Sequence, residues 1–268
     1  MARRWQQEPE AGSSFRQAGG EVDLSTDGTS VHTTAGWREM RLSVFAKRER
    51  GRPQSVIRWQ ERNLPKPQSR VVYAGLVRAE ALGAQWRRWA RGLGLTQTRE
   101  ITLLADGARW IWKQAEKHLP DAQGVLDIYH ACEHLHQTAA LLYGEGTIKA
   151  RHWVQVRRTW LLSKGARALL HVLARDQRQT RSRRKQANLA ALADYFRPHV
   201  EHTPYRLRLR QGQTIGSGLV EGACKTVVGR RLKQTGARWR IRRVERMAAL
   251  SCLLYGNQWD TYWSSIAA

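Results

Sequence analysis

The stretch from Ile101 to Leu135, ITLLADGARWIWKQAEKHLPDAQGVLDIYHACEHL, constrains the fold more than any other. It opens with an apolar run, Ile101 to Ala105, that stops on Asp106-Gly107. So short a run, ended by Asp-Gly, reads as a buried strand entering a turn. Ala108, Ile111, Ala115 and Leu119 then repeat on one helical face until Pro120 forbids continuation. A second short strand, Gly124 to Leu126, ends on Asp127, three residues before His130. Strand, helix and strand in this order read as a parallel crossover unit. In open α/β sheets, chemistry collects at the carboxyl ends of the strands, and both strands place an aspartate there. The plainer reading of Asp106 is a helix N-cap.

The charge narrows the partners. The 268 residues suffice for one large domain or two modest ones with a real core. They carry 46 Lys and Arg against 22 Asp and Glu, a formal charge of +24. A field of that size attracts polyanions. A solvated surface or a membrane-surface protein are the plainer alternatives. Nucleic acid is favoured because most of the charge is Arg, which forks onto phosphate and stacks on bases, and because 12 Trp are interspersed with it. Cys132, Cys224 and Cys252 form no C-x-x-C pair, which argues against a disulfide framework or a cysteine zinc site. No signal-peptide-like stretch and no run of membrane-spanning length occurs. The expectation is a reducing, cytoplasmic setting with no membrane.

In chain order, residues 1–19 have no period and read as a loose arm. From Val22, alternation puts Val22, Leu24 and Thr26 on one face and Asp23, Ser25 and Asp27 on the other. Thr34-Ala35-Gly36 makes a turn, and Trp37 to Ala46 alternates again, so the pair predicts an antiparallel hairpin. Gly51 to Ser69 is a basic loop, and Val71 to Val77 a third strand. Ala79, Leu82, Trp86, Trp89 and Leu93 predict an amphipathic helix. Strand, strand, strand, helix, strand, helix, strand is the order of a ribonuclease H-like sheet.

From His130 to about Val200 the pattern is helical. Arg175 to Lys185, RDQRQTRSRRK, interrupts it with dense positive charge, which is either a solvated face or a phosphate contact. Arg206, Arg208 and Arg210 alternate with Leu207 and Leu209, predicting an exposed extended segment. Ser217 then caps a helix to about Lys233, with Glu221 in its first turn among small residues; helix-dipole stabilisation alone accounts for a carboxylate there. Lys225 to Arg246 holds nine Lys or Arg against one acid, with Trp239 inside. Basic residues interleaved with an aromatic favour nucleic acid. An apolar helix, Met247 to Tyr255, and the pair Trp259 and Trp263 end the chain.

Three carboxylates thus fall on separate elements: Asp27, Asp106 and Glu221. In a sheet of this order the first and fourth strands are neighbours, so Asp27 and Asp106 would face each other roughly 5 Å apart. Carboxylates so close repel unless cations lie between them. Two Mg²⁺ or Mn²⁺ ions suit such hard oxygen ligands and would activate a nucleophile and stabilise the leaving oxygen of a phosphodiester. Asp23, on the same strand face, rivals Asp27 as the first ligand. Basic side chains that would hold DNA are Arg181, Arg183, Arg184 and Lys185 in the first run, and Lys225, Arg230, Arg231, Lys233, Arg238 and Arg240 in the second.

The segments STDGTSVHTTAGWREMRLSVF, ADGARWIWKQAEKHLPDAQGVLDIYHACEHL and GSGLVEGACKTVVGRRLKQTGARW resemble those of bacterial insertion-sequence transposases of the Kra group, DDE enzymes akin to the Mutator-like transposases. The resemblance runs from about Ser25 to the aromatic C-terminus. It implies a ribonuclease H-like core over 20–130 and 216–246, an all-helical insertion over 131–215, and a C-terminal helix and tail over 247–268. It implies the triad Asp27, Asp106 and Glu221, with Asp127 and His130 as the supporting D-x-x-H signature. The implied reaction is hydrolysis at transposon ends, then attack of the freed 3′-hydroxyl on target DNA, by an oligomer at the nucleoid. Such proteins carry an end-binding region ahead of the first aspartate. Here 26 residues precede Asp27, so the expectation is a chain lacking that region.

Two other readings stand beside this one. One is a transposase remnant that binds DNA without cutting it. The other rests on His130-Ala131-Cys132-Glu133-His134, which fits the H-x-x-E-H pattern of inverted zincins; helical spacing would let His130 and His134 share a zinc with Glu133 as base.

Overall fold

The alternation after Val22 builds the centre of the sheet. Strands β1 (Glu21–Thr33) and β2 (Gly36–Arg48) form a long antiparallel hairpin, and β3 (Ser69–Gly75) lies antiparallel to β2. Strand β4 (Ile101–Ala105) runs parallel to β1, with Val22 opposite Ile101 and Ser25 opposite Leu104. With β5 (Gln123–Leu126) they make a five-stranded mixed sheet in the order β3-β2-β1-β4-β5, so the chain is a mixed α/β protein. The computed structural model describes residues 1–2, 9–95 and 97–267.

The chain divides into two compact units, residues 1–49, 65–123 and 217–268 in one, 50–64 and 124–216 in the other. In the first unit, side-chain alternation gives the hairpin two covered faces. Val22, Leu24, Phe45, Val71 and Tyr73 turn to one side. There they pack with Leu82, Trp86 and Ala90 of α2 (Ala79–Gly92) and Ile111 and Ala115 of α3 (Arg109–His118). Trp86 also donates its indole N–H to Ser43 Oγ at 2.9 Å, tying the helix to β2. The arm expected to be loose contributes α1 (Ser13–Gln17), whose Phe15 is fully buried in this core. That corrects the expectation for those residues: one large aromatic outweighs the absence of a period. Residues 3–8 of the arm lie outside the described residues.

The opposite face of the sheet carries Val31, Met40, Leu42 and Val44 of the hairpin and Val72 of β3. It is covered by a helical run of three parts: α8 (Gly218–Ala223), a π-helical turn (Cys224–Gly229) and α9 (Arg230–Leu232). Val220, Ala223, Val227, Val228 and Leu232 of that run are buried there with Val244, Ala248 and Cys252 of α10 (Ile241–Tyr255). Helix α10 starts six residues before the expected Met247 because Val244 already faces the core. Helix α11 (Trp259–Ala267) follows.

The second unit is mostly helical: α4 (Ile128–Tyr143), α5 (Ile148–Gln179), α6 (Arg183–Phe196) and α7 (Tyr205–Arg210). It begins near β5 rather than at Ala131, and it takes in loop 50–64, which Gly51 N–H and Gln54 N–H tie to the carbonyls of Gly212 and Leu209, each at 2.8 Å. The segment predicted to be extended is helix α7. Tyr205 and Leu209 share its buried face, and Arg208 lies inward, donating from Nε to Thr214 O at 2.8 Å. The alternation of Arg and Leu is therefore incidental to a helix that buries every fourth residue. Among the described residues no helix is long and apolar enough to cross a membrane.

Candidate functional site

The register of β1 against β4 decides where the first two carboxylates fall. Partners are offset by 79 (101 − 22), the same interval that separates Asp27 from Asp106. The paired register ends at Ser25 and Leu104; carried on two residues, the same offset would set Asp27 level with Asp106, just past the end of β4. Asp27 pairs with Leu42 across the hairpin, and its Oδ1 accepts from Gly28 N–H at 2.6 Å. It is half-buried, on the face covered by the α8 run. Asp106 is also half-buried, just past the end of β4. Its Oδ1 accepts from Ala108 N–H at 2.9 Å, and its carbonyl accepts from Trp112 Nε1 at 2.8 Å. The N-cap of α3 is Ala108, so Asp106 shapes the turn ahead of the helix instead of capping it.

Glu221 sits in the first turn of α8, half-buried, where the helix dipole favours a negative charge. Val220 and Ala223 on either side of it anchor the helix to the hairpin face that bears Asp27. Tyr255 of α10 braces the same turn, its hydroxyl donating to Leu219 O at 3.4 Å. Ser217 holds the N-cap position without a side-chain cap bond.

Cys224 joins two of the three carboxylates. Its thiol donates weakly to Asp27 Oδ2 at 3.9 Å. Burial, and then the charge of Asp27, push the thiol up to about 12; Glu221 adds to the rise and Lys233 opposes it. Asp27, Glu221, Cys224 and Lys233 thus share one electrostatic neighbourhood. Lys233 also hydrogen-bonds Thr29 Oγ1, two residues beyond Asp27 on β1. Neither role was read from the sequence; the signal available was Cys224 lying one helical turn after Glu221.

Asp23 occupies a different place. It is only 2% exposed, lies opposite Thr102, and pairs with Arg48 Nε at 3.2 Å. Its charge is taken up inside the sheet.

The hard carboxylate oxygens of the triad suit Mg²⁺ or Mn²⁺. The fit is partial. The register offset would set Asp27 level with Asp106, and Glu221 stands on the helix over the face that bears Asp27, yet among the described residues no three His, Cys, Asp or Glu are arranged to hold a metal ion. The same holds for His130, Glu133 and His134. His130 Nδ1 pairs with Glu133 at 3.2 Å, while His134 stacks on Tyr195 with ring centroids 3.7 Å apart.

In the helical unit, Asp127 is fully buried and caps α4, accepting from Tyr129 N–H at 2.5 Å and His130 N–H at 3.2 Å. The D-x-x-H spacing is thus also an N-cap with its third helical residue.

The basic candidates form two sets, one in each unit. Arg181, Arg183 and Arg184 are exposed around the start of α6, and Lys185 lies over the Tyr143 ring at 5.1 Å. Lys225, Arg230, Arg231, Lys233, Arg238 and Arg240 are exposed along and beyond the α8 run. None of these ten has a carboxylate partner among the described residues. Unneutralised cations of this density attract anions. No protein-family model matches the chain, and no curated protein matches it significantly.

Proposed function

We propose that the chain is a DDE-type transposase, transferring phosphoryl groups on DNA from a ribonuclease H-like core. The observation that carries this reading is the shared 79-residue offset, which matches the pairing of β1 with β4 to the spacing of Asp27 and Asp106. The strand order, with an antiparallel hairpin edge joined to a parallel strand, supports the ribonuclease H-like assignment. The net charge and the unpaired Arg and Lys rows support DNA as the partner.

In this reading Asp27, Asp106 and Glu221 hold two Mg²⁺ or Mn²⁺ ions. Bound there, the ions would supply an activated nucleophile and charge neutralisation at the leaving oxygen. Cys224 orients Asp27 Oδ2, and Glu221 lies in the first turn of α8. Asp127 and His130 position the start of α4 within the helical unit. The basic rows hold transposon ends and target DNA, and synapsis of two ends calls for a homo-oligomer on the DNA. Strand hydrolysis at the ends, then 3′-hydroxyl attack on target, is the proposed sequence, in a bacterial cytoplasm at the nucleoid.

The test is nicking of supercoiled plasmid with Mn²⁺ or Mg²⁺. Asp106→Asn, Asp27→Asn and Glu221→Gln should each lower the rate by about 10²-fold or more while DNA binding persists. Nicking that survives Asp106→Asn would sink the assignment. A second reading is DNA binding without cutting. It predicts full DNA affinity and no metal-dependent nicking in the parent protein.

A further inference from the structure

The tip of the β1–β2 hairpin carries an aromatic pair that the carboxylate site does not use. Trp37 is 68% exposed, the most exposed indole among the described residues. It is not a loose side chain. His32, its partner across the hairpin, stacks on it with ring centroids 4.7 Å apart and planes 12° from parallel. One indole face is covered and the other is open to solvent.

The backbone beneath this pair is braced. Thr33 is buried, its hydroxyl donating to Gly36 O at 2.7 Å and accepting from Ala35 N–H at 3.2 Å. Gly36 turns the tip with φ +89°, where a side chain would be strained. The segment after α9 then docks on β1. Trp239 N–H donates to His32 O at 3.1 Å, and Thr34 N–H donates to Trp239 O at 2.9 Å. This bridge opens a cleft of about 440 Å³ lined by Thr34, Ala237, Arg238, Trp239, Arg240 and Arg243. The three arginines are exposed and have no carboxylate partner among the described residues. All these residues belong to one compact unit.

A rigid aromatic face beside a cleft with three free guanidinium groups is what an unstacked nucleotide requires. The ring accepts the base, and the arginines fork onto the backbone phosphates. In duplex DNA the base faces are occupied by their neighbours, so Trp37 has nothing to stack on until a strand opens. We infer that the hairpin tip and the Arg238–Arg240–Arg243 cleft form a binding site for single-stranded nucleic acid, with Trp37 as the base-stacking residue. The inference rests on the nucleic-acid part of the proposed function and not on the carboxylates.

The experiment is fluorescence anisotropy with a labelled oligonucleotide as single strand and as duplex, in EDTA. Trp37→Ala should weaken single-strand binding about tenfold and leave duplex binding unchanged, and Trp37→Phe should restore most of the loss. Changing Arg238, Arg240 and Arg243 together to Gln should lower the single-strand salt slope by about 2. Trp37 is exposed, so a thermal midpoint equal to the parent's is the expected fold control. Unchanged single-strand affinity in Trp37→Ala overturns the site. So does an equal loss for duplex, or failure of Phe to rescue. Competition by a free mononucleotide as effective as by the strand would mean a nucleotide pocket, and would overturn the strand assignment. Nicking is scored separately with metal: its absence beside intact Trp37-dependent binding defeats the transposase reading alone, and its presence without that dependence defeats this site alone.

Discussion

At the scale of single residues, Cys224 shows how placement sets chemistry. A thiol pushed up to about 12 is protonated at neutral pH, so it is a poor nucleophile. The sign of the coupling to folding follows. The native thiol keeps its proton while an unfolded one, near 9.0, loses it, so this stabilisation is complete below pH 9 and declines as pH rises towards 12. Iodoacetamide should therefore label Cys224 in the native protein at pH 8 at least about tenfold more slowly than in the unfolded chain. Peptide mapping of the labelled protein reads this directly. Labelling at the unfolded rate would mean that the thiol does not lie against Asp27.

At the scale of elements, most of the sheet and its two covering helices were legible. Apolar alternation from Val22 and the run at Ile101 reflect burial on known faces, and burial leaves a period. The spacing of Asp27 and Asp106 was legible too, because it equals the register of β1 on β4. The period misled at Arg206 to Arg210, where two superposed patterns fit six residues and only the packing of Tyr205 and Leu209 chooses the helix. It was silent on the Thr33–Trp239 bridge and on Cys224 meeting Asp27, which join residues some 200 apart in sequence and leave no local trace. Two glycines show what else the period misses. Gly165 interrupts α5 at φ +76° beneath Thr203, whose Oγ1 accepts from Ala166 N–H at 2.8 Å. Gly212, at φ +68°, lies so close to loop 50–64 that a Cβ would meet Gly51 O at 1.9 Å. Gly165→Ala should cost about 1–3 kcal/mol, the range for a strained left-handed residue. Gly212→Ala should cost more, since backbone rather than a side chain must give way. Thermal unfolding of both variants should rank them in that order, and a neutral Gly212→Ala would mean that the loop is not held there.

At the scale of the whole molecule, the charge of +24 is a statement about association. A field of that size attracts any polyanion, whatever its sequence, and that general attraction is distinct from the stacking inferred at Trp37 and from the metal-dependent chemistry proposed at Asp27 and Asp106. The two basic rows separate these contributions because each lies within its own unit. Arg181, Arg183, Arg184 and Lys185 sit at the start of α6. If all four meet phosphate, changing them together to Gln should reduce the slope of log affinity against log salt by about 3 to 4 for duplex DNA. The loss should be the same for unrelated sequences, since phosphate contacts carry no base information. Nicking per bound plasmid should stay at the parent rate, as none of the three carboxylates has changed. A filter-binding or anisotropy series across salt concentrations reads the slope. An unchanged slope would make the row a solvated face, and the charge that holds DNA would then lie in the row from Lys225 to Arg240.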